Sequence, residues 1–304
     1  MSETHKGLLA VLIANLSWGM FPLFWMLLNH VPPIEVFAHR TFWSLFTFAI
    51  FLALQGRLAQ LWTLFADPAM RWRSVAAAFA ISGNWSLFIY AVQVDAVLEA
   101  SIGYFVFPLL AVCLGFFLFG ERLSVAQWLA VGLAAAAVLI LSVGLGVTPW
   151  LSLALALCFA LYGVFKRGIS AGPILSVTAE VAVVGPLSLI WLLGVHMLGW
   201  TDFTGRPGAV FGQDAVTTAL FILSGVVTAV PLMLFSYAAR RISYSTIGLM
   251  QYVNPSLQFL LAVLFFGQAI TVYHAIALPM IWIGLTIYSV SSVLTARRRA
   301  SAPE

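Results

Sequence analysis

The sequence predicts an all-α integral membrane protein, with ten transmembrane helices arranged as two inverted five-helix repeats. Three observations predict it. The 304 residues are 62% hydrophobic and only 8% charged, with a mean hydropathy of +1.04, whereas globular chains carry roughly 25% charged residues. The apolar residues fall in runs of about 20, the length that crosses a bilayer. One stretch also recurs. Glu99-Ala-Ser-Ile-Gly-Tyr-Phe-Val-Phe-Pro108, running on to Gly120-Glu121-Arg122, is echoed 147 residues later by Gln251-Tyr-Val-Asn-Pro255, running on to Gly267-Gln268. At that offset Phe105 falls on Tyr252, Val106 on Val253, Pro108 on Pro255, Phe119 on Phe266 and Gly120 on Gly267. Internal repeats of this kind set the architecture.

Taken in order, the first apolar run, roughly 7–28, lacks a small-x-small cleavage site and is expected to stay as a span. The second, roughly 34–54, holds Arg40. A longer connection over 55–72 carries Arg57, Asp67, Pro68 and Arg71. The third span, roughly 73–93, has Asn84-Trp85 near its middle. The repeated stretch forms the fourth, roughly 97–119, and the fifth follows at 124–144. The sixth and seventh, roughly 148–166 and 174–198, begin the second copy, with Glu180 inside the seventh. Residues 199–214 read as a surface loop. The last three spans are expected at roughly 215–238, 244–266 and 271–294. The first repeat is thus expected over 1–146, the second over 147–296 and a cytoplasmic basic tail over 297–304. Cys113 and Cys158 lie within apolar helices as small core residues.

Lysines and arginines fix the expected orientation. With the N-terminus in the cytoplasm, Lys6, Arg57, Arg71, Arg73, Arg122, Lys166, Arg167, Arg240, Arg241 and Arg297 to Arg299 all fall inside, and Arg206 falls outside. The pI near 9.3 therefore reflects topology and implies no nucleic-acid partner. Five spans per unit is an odd number, so the second copy must be inverted. The loop Gln93–Glu99 has no basic residue, while its repeat partner carries Arg240-Arg241, as expected for one loop facing opposite sides. Inverted repeats are a mark of transporters, with the substrate site near the midplane where the repeats meet.

His39-Arg-Thr-Phe-Trp-Ser44, Gly83-Asn-Trp-Ser-Leu-Phe88, Leu98-Glu-Ala-Ser-Ile-Gly-Tyr-Phe105 with Pro108, Gly120-Glu-Arg122 and Gln251-Tyr252 with Pro255 together carry a resemblance. Over nearly its whole length the chain resembles the EamA-type members of the drug/metabolite transporter superfamily, and among them the RarD-type branch. The resemblance implies ten spans, a basket-like pair of inverted five-helix bundles, and carriage of small metabolites or drugs across the inner membrane. The chain departs from repeat symmetry at Gln268, which stands where the first half has Glu121 and has no basic residue after it.

Polar residues within spans are costly and mark function. Arg40 would cost roughly 2.5–3.5 kcal/mol at the bilayer centre. It either snorkels to the outer surface or faces the bundle to meet Glu35, Glu99 or a substrate acceptor. Glu180 lies at a near-symmetric position in the seventh span. An unpaired buried carboxylate favours its neutral form, which makes Glu180 the candidate for coupling to a proton. Ser101, Tyr104, Pro108, Ala111 and Gly115 share one helix face, and their repeat partners are Gly248, Gln251, Pro255, Gln258 and Ala262. Small residues there serve helix packing, but the polar ends of Tyr104, Gln251 and Gln258 point to a cavity. Trp18-Gly19 matches Tyr162-Gly163, and with Asn84, Trp85, His39 and Tyr252 these supply apolar walls with a few polar groups. Pro108 and Pro255 should each kink a helix, free the carbonyls of Tyr104 and Gln251, and act as paired hinges.

The leading function is a secondary transporter, most simply an exporter working by alternating access on a small amphipathic molecule. Its expected partners are that solute, the lipid bilayer and a coupling proton, with no cofactor. An ATP-driven pump is excluded on this chain, since Lys6 and Lys166 are the only lysines and neither ends a phosphate-binding loop. No ATPase subunit is implied. An intramembrane metalloenzyme lacks ligands, because there is no H-E-x-x-H and His39, His196 and His274 lie on separate segments. A facilitative pore is the alternative, although the rings of a selectivity filter are missing.

Overall fold

The computed structural model describes residues 3–120, 123–145, 149–166, 168–239, 241–242 and 250–300, with the backbone alone for 112, 119, 236, 239 and 292–300. Glu121, Arg122, Arg167, Arg240 and Gly248, singled out above, lie outside the described residues. Regular structure among the described residues is helical throughout: α1 (Glu3–Gly19), α2 (Phe21–Met26), α3 (Pro33–Leu54), α4 (Gln60–Ala66), α5 (Pro68–Gln93), α6 (Val97–Phe119), α7 (Val125–Leu145), α8 (Trp150–Lys166), α9 (Pro173–Leu198), α10 (Ala215–Ala239), α11 (Val253–Leu264) and α12 (Val272–Ala300). Among the described residues, eight helical stretches are long and apolar enough to cross a membrane, with α1 and α2 counted as one. The apolar helices α8 and α11 are shorter, at 17 and 12 residues.

Local chemistry sets the boundaries. Pro33, Pro68 and Pro173 open α3, α5 and α9, where a missing N–H costs nothing. Asp67 caps α5, its carboxylate accepting from Ala69 N at 2.8 Å. Gly120 and Gly267, matched in the sequence repeat, both have φ +63°, a left-handed conformation that ends a helix and favours glycine. Gln268 does not copy Glu121; its Oε1 accepts from the backbone N–H of Leu98 at 2.7 Å and so caps the first turn of α6.

Two expected spans are interrupted. The first breaks at Gly19–Met20. Pro22 cannot donate to the carbonyl of Trp18, and Gln258 Nε2 donates to that oxygen instead at 3.4 Å. The ninth turns at Gln251–Tyr252, so Pro255 is the third residue of α11 rather than an interior kink. The carbonyl of Gln251 is not left free, because Asn254 N donates to it at 3.2 Å. Pro108 does lie inside α6, which runs unbroken. The expected hinge pair is therefore corrected to one interior proline and one first-turn proline. Pro186, Pro231 and Pro279 are further interior prolines, in α9, α10 and α12.

The bundle is interlaced. α1 packs on α10 and α11, while α8 packs on α5 and α6. α3 lies between α9 and α10, α5 also meets α9, α6 meets α11, and α7 pairs with α12. Small residues permit the closest approaches. A Cβ on Gly103 would sit 2.7 Å from the carbonyl oxygen of Ser152 in α8, and one on Gly225 would sit 2.5 Å from the backbone of Trp43 in α3. Buried Ala130, Ala134 and Ala137 line the α7 side of the α7–α12 pair.

The contacts also order the two ends. Ile34 at the start of α3 donates to Asp202, just past the end of α9, and Leu52 near the end of α3 clusters with Leu175 near the start of α9. α3 and α9 are therefore antiparallel. α10 runs parallel to α3, since His30 meets Thr217 and Arg40 meets Thr228. One end of the bundle gathers Lys6, Arg73, Lys166 and Arg241, tied by Glu3–Arg241 at 2.8 Å and Arg73–Gly168 at 2.8 Å. The other end holds Arg206.

Glycine substitutions test this packing. Gly103→Ala and Gly225→Ala each force a methyl against backbone and should destabilise by about 1–3 kcal/mol. Gly132→Ala, which meets nothing within 4 Å, should leave the melting temperature unchanged or raise it, since alanine favours the helix interior. Thermal unfolding of the purified variants in one detergent measures all three.

Candidate functional site

Arg40 is the eighth residue of α3 and Glu180 the eighth of α9. At 1.5 Å per residue each lies roughly 10 Å into its helix, and because the helices are antiparallel the two charges enter from opposite ends. Arg40 is 4% exposed, so it does not snorkel. Its guanidinium lies over the Trp85 ring, 3.7 Å from the centroid, with Trp25 at 5.7 Å. Nε donates to Thr228 Oγ1 at 3.2 Å, and Nη1 reaches no protein acceptor among the described residues. Neither Glu35 nor Glu99 pairs with it; among the described residues Arg40 has no ion pair. A desolvated cation–π contact contributes about 2 kcal/mol, less than the several kcal/mol that burying an ion costs.

Trp85 sits beside Asn84, whose Nδ2 donates to Leu155 O at 3.0 Å and whose Oδ1 accepts from Tyr104 Oη at 3.0 Å. Tyr104 meets Phe159 edge-on at 6.0 Å, and Phe159 stacks on Tyr162 at 6.0 Å. Tyr162 Oη donates to Glu180 Oε2 at 3.2 Å. An aromatic path thus links the two charges across α3, α5, α6, α8 and α9. Tyr104 and Tyr162 both keep some accessible surface along this path.

Glu180 is not unpaired, which corrects the sequence expectation. Lys166, assigned to the cytoplasmic face from sequence, bridges to Glu180 Oε1, and Ser176 Oγ donates to the same oxygen at 3.1 Å. The carboxylate is 1% exposed, whereas the lysine keeps 26% of its side chain accessible. The cluster closes one end of the path and leaves Lys166 partly accessible.

The remaining candidates lie elsewhere. His39 is not part of the path; it stacks on Phe221 at 4.0 Å and on Phe211 at 4.9 Å. Phe211 belongs to residues 199–214, which form a strap and not a free loop. The strap's Ala209 and Val210 N–H groups each donate at 3.0 Å to the buried Glu35 carboxylate, and Arg206 donates to Asn29 O and Gln93 Oε1. Asp214 at its end is held below the usual carboxylate range by hydrogen bonds from Thr217, first from its side chain and then from its N–H at 2.6 Å. Glu99 is half-buried at the start of α6. Trp18 and Gln258 meet through the Trp18 carbonyl, and Gln258 also donates to Asn254 Oδ1 at 2.8 Å. Gln251 and Tyr252 are half-buried at the α11 turn. The polar face of the repeat is therefore divided, with Tyr104 bonded across to Asn84 on the path and Ser101 bonded to its own helix at Leu98 O.

Sequence reasoning missed Trp25, Phe159, Thr228 and Lys166 as members of the path. It also passed over Gly168-Ile-Ser-Ala-Gly172, which has the letters of a nucleophile elbow. The context is wrong for that chemistry. The stretch joins two helices rather than a strand to a helix, and exposed Ser170 Oγ lies 3.9 Å from Met70 Sδ.

Comparison with known proteins agrees with the arrangement. Residues 5–143 match the EamA-like transporter family. The chain is 39% identical to protein RarD of Streptomyces exfoliatus over 299 residues, covering 98% of this chain and 92% of that one. It is 31% identical to the uncharacterized transporter YojE of Bacillus subtilis, covering 99% of each. A crystal structure of another protein superposes with a TM-score of 0.55 at 19% identity, over 92% of this chain and 96% of that one, and shares the fold. The chain belongs to the EamA-like transporter family, as a RarD-type member and a multi-pass membrane protein.

Proposed function

We propose that the chain is a secondary transporter that exports a small amphipathic metabolite or drug-like molecule across the inner membrane by alternating access. The observation that carries this reading is the aromatic path between Arg40 and Glu180, two buried charges set equally deep in antiparallel helices from opposite ends of the bundle. Apolar walls with a few placed polar groups are what small-molecule sites use, and transporter sites lie near the midplane between repeats.

Ten spans follow if α8 and the segment containing α11 are added to the eight longer stretches. Two inverted five-helix repeats are supported by the packing itself. Exchanging α1 with α8, α3 with α9, α5 with α10, α6 with α11 and α7 with α12 turns the principal pairings into one another. The gathering of Lys6, Arg73, Lys166 and Arg241 at one end supports a cytoplasmic assignment for that end and for both termini. Reporter fusions after Gly120, Trp200 and Arg298 test it. Gly120 and Arg298 should report inside and Trp200 outside; an outside signal at Arg298 would defeat both the orientation and the even span count.

Flux in proteoliposomes separates a carrier from a pore. For any compound of an amphipathic panel that the protein moves, the rate should saturate and fall when a second transported compound is added. Linear flux without competition would identify a pore.

Glu180 is the proposed proton site because protonation would release Lys166 and open that end of the path. Glu180→Gln alone strands the lysine and should cost about 1–3 kcal/mol, less than the 3–5 of a fully buried pair because Lys166 is partly hydrated. The double variant Glu180→Gln/Lys166→Met should recover most of that stability. It should still carry the compound, with a rate that no longer varies with pH. Wild-type pH dependence in the folded double variant would move the coupling elsewhere.

A further inference from the structure

We infer that the transported solute carries an organic anion, a carboxylate or similar head on an apolar body, and that Arg40 is the residue that reads it. The inference rests on the carrier reading above and deepens it. Every other buried charge along the path is matched. Glu180 has Lys166, Ser176 and Tyr162, and Glu35 is held by two strap N–H groups. Arg40 is the exception. It is 4% exposed, yet its neighbours are the faces of Trp85 and Trp25 and one hydroxyl, Thr228 Oγ1. Trp rings stabilise a cation without neutralising it, and Nη1 is left without a protein acceptor among the described residues.

The geometry favours an incoming anion over a structural role. Nε is engaged by Thr228 while Nη1 is buried without an acceptor among the described residues, so a carboxylate admitted as the site opens would complete the planar fork. A cation in a low-dielectric site attracts an anion far more strongly than it would in water. Trp85 lies against the guanidinium, and its neighbour Asn84 binds the partly accessible Tyr104. A solute with its anion on Arg40 would therefore lay its apolar body along the aromatic path. A neutral solute would leave the arginine uncompensated, and a cationic one would be repelled.

Three probes with one body and different charge test this: 4-phenylbutyrate, 4-phenylbutyramide and 4-phenylbutylamine. Each is added to the purified full-length protein in a neutral detergent, and the melting temperature is read against concentration. The acid should raise it saturably by several degrees, since a ligand of the folded state stabilises it, while the amide and amine should do so at least tenfold more weakly. Arg40→Gln should fold with an unchanged or higher baseline, because it removes an unpaired buried charge, and should lose the response. Arg40→Lys keeps the charge but not the fork and should respond with a several-fold weaker midpoint; it carries the comparison if Arg40→Gln does not fold. If the amide or amine protects as well as the acid, or Arg40→Gln responds like wild type, Arg40 reads no anion while the binding cavity and the carrier reading stand. If no probe protects the wild type, the inference falls and the carrier reading loses its binding site. Phosphatidylglycerol is the last arm. If it alone protects, in an Arg40-dependent way, the site takes a lipid headgroup and the inference is overturned.

Discussion

A guanidinium held against the face of Trp85 inside a membrane protein is the interaction around which the helices are arranged. Removing a full charge from water costs several kcal/mol, and a cation–π contact of about 2 kcal/mol returns only part of it. The remainder has to come from packing. Four helices converge on Arg40: α3 carries it, α2 and α5 bring Trp25 and Trp85, and α10 brings Thr228. Gly225, one turn before Thr228, lets α10 approach the α3 backbone closely enough for the hydroxyl to reach Nε. The strap fixes the start of the same helix through Glu35, one turn before His39.

The second buried charge repeats the logic with different means. Glu180 sits as deep in α9 as Arg40 sits in α3, but it is compensated within the protein by Lys166. One end of the path is therefore closed by an internal ion pair, and the other presents an uncompensated cation. Interlacing couples the ends. α8 belongs to the second half of the chain yet packs on α5 and α6, and it carries both Phe159 and Tyr162 of the path. A shift of α8 would alter the Glu180 cluster and the aromatic path together.

Much of this was legible in the sequence, and the parts that were not share a physical cause. Hydropathy located the eight long apolar stretches because a bilayer demands long apolar runs whatever the tertiary packing. The repeat located Gly120 and Gly267, whose identical left-handed backbones need glycine. Arg40 and Glu180 stood out because charge in an apolar run is rare. Their partners did not. Trp25 and Phe159 are ordinary letters in a chain with 11 Trp and 24 Phe, and nothing local marks which rings face inward. Lys166 is read from sequence only as one of the charges of the cytoplasmic side, and only the fold brings it to Glu180. The strap's hold on Glu35 spans a sequence separation of 174, beyond the reach of any local pattern. The break at Gly19–Met20 escaped hydropathy because the broken residues are themselves apolar, although Pro22 was a visible signal for it.

The central claim is that water reaches the aromatic path between the two buried charges from each end in turn, so that the path is not a permanently dry core. Thiol labelling tests it most directly. Tyr104→Cys and Tyr162→Cys are made in a background with Cys113 and Cys158 replaced by serine, beside Val143→Cys, whose side chain lies 82% exposed on the outside of the bundle. A small membrane-impermeant thiol reagent should modify both tyrosine positions, Tyr104→Cys from the end that holds Arg206 and Tyr162→Cys from the end that holds Lys166, while the lipid-facing cysteine stays unmodified. Tyrosine positions that react no faster than Val143→Cys would contradict the account.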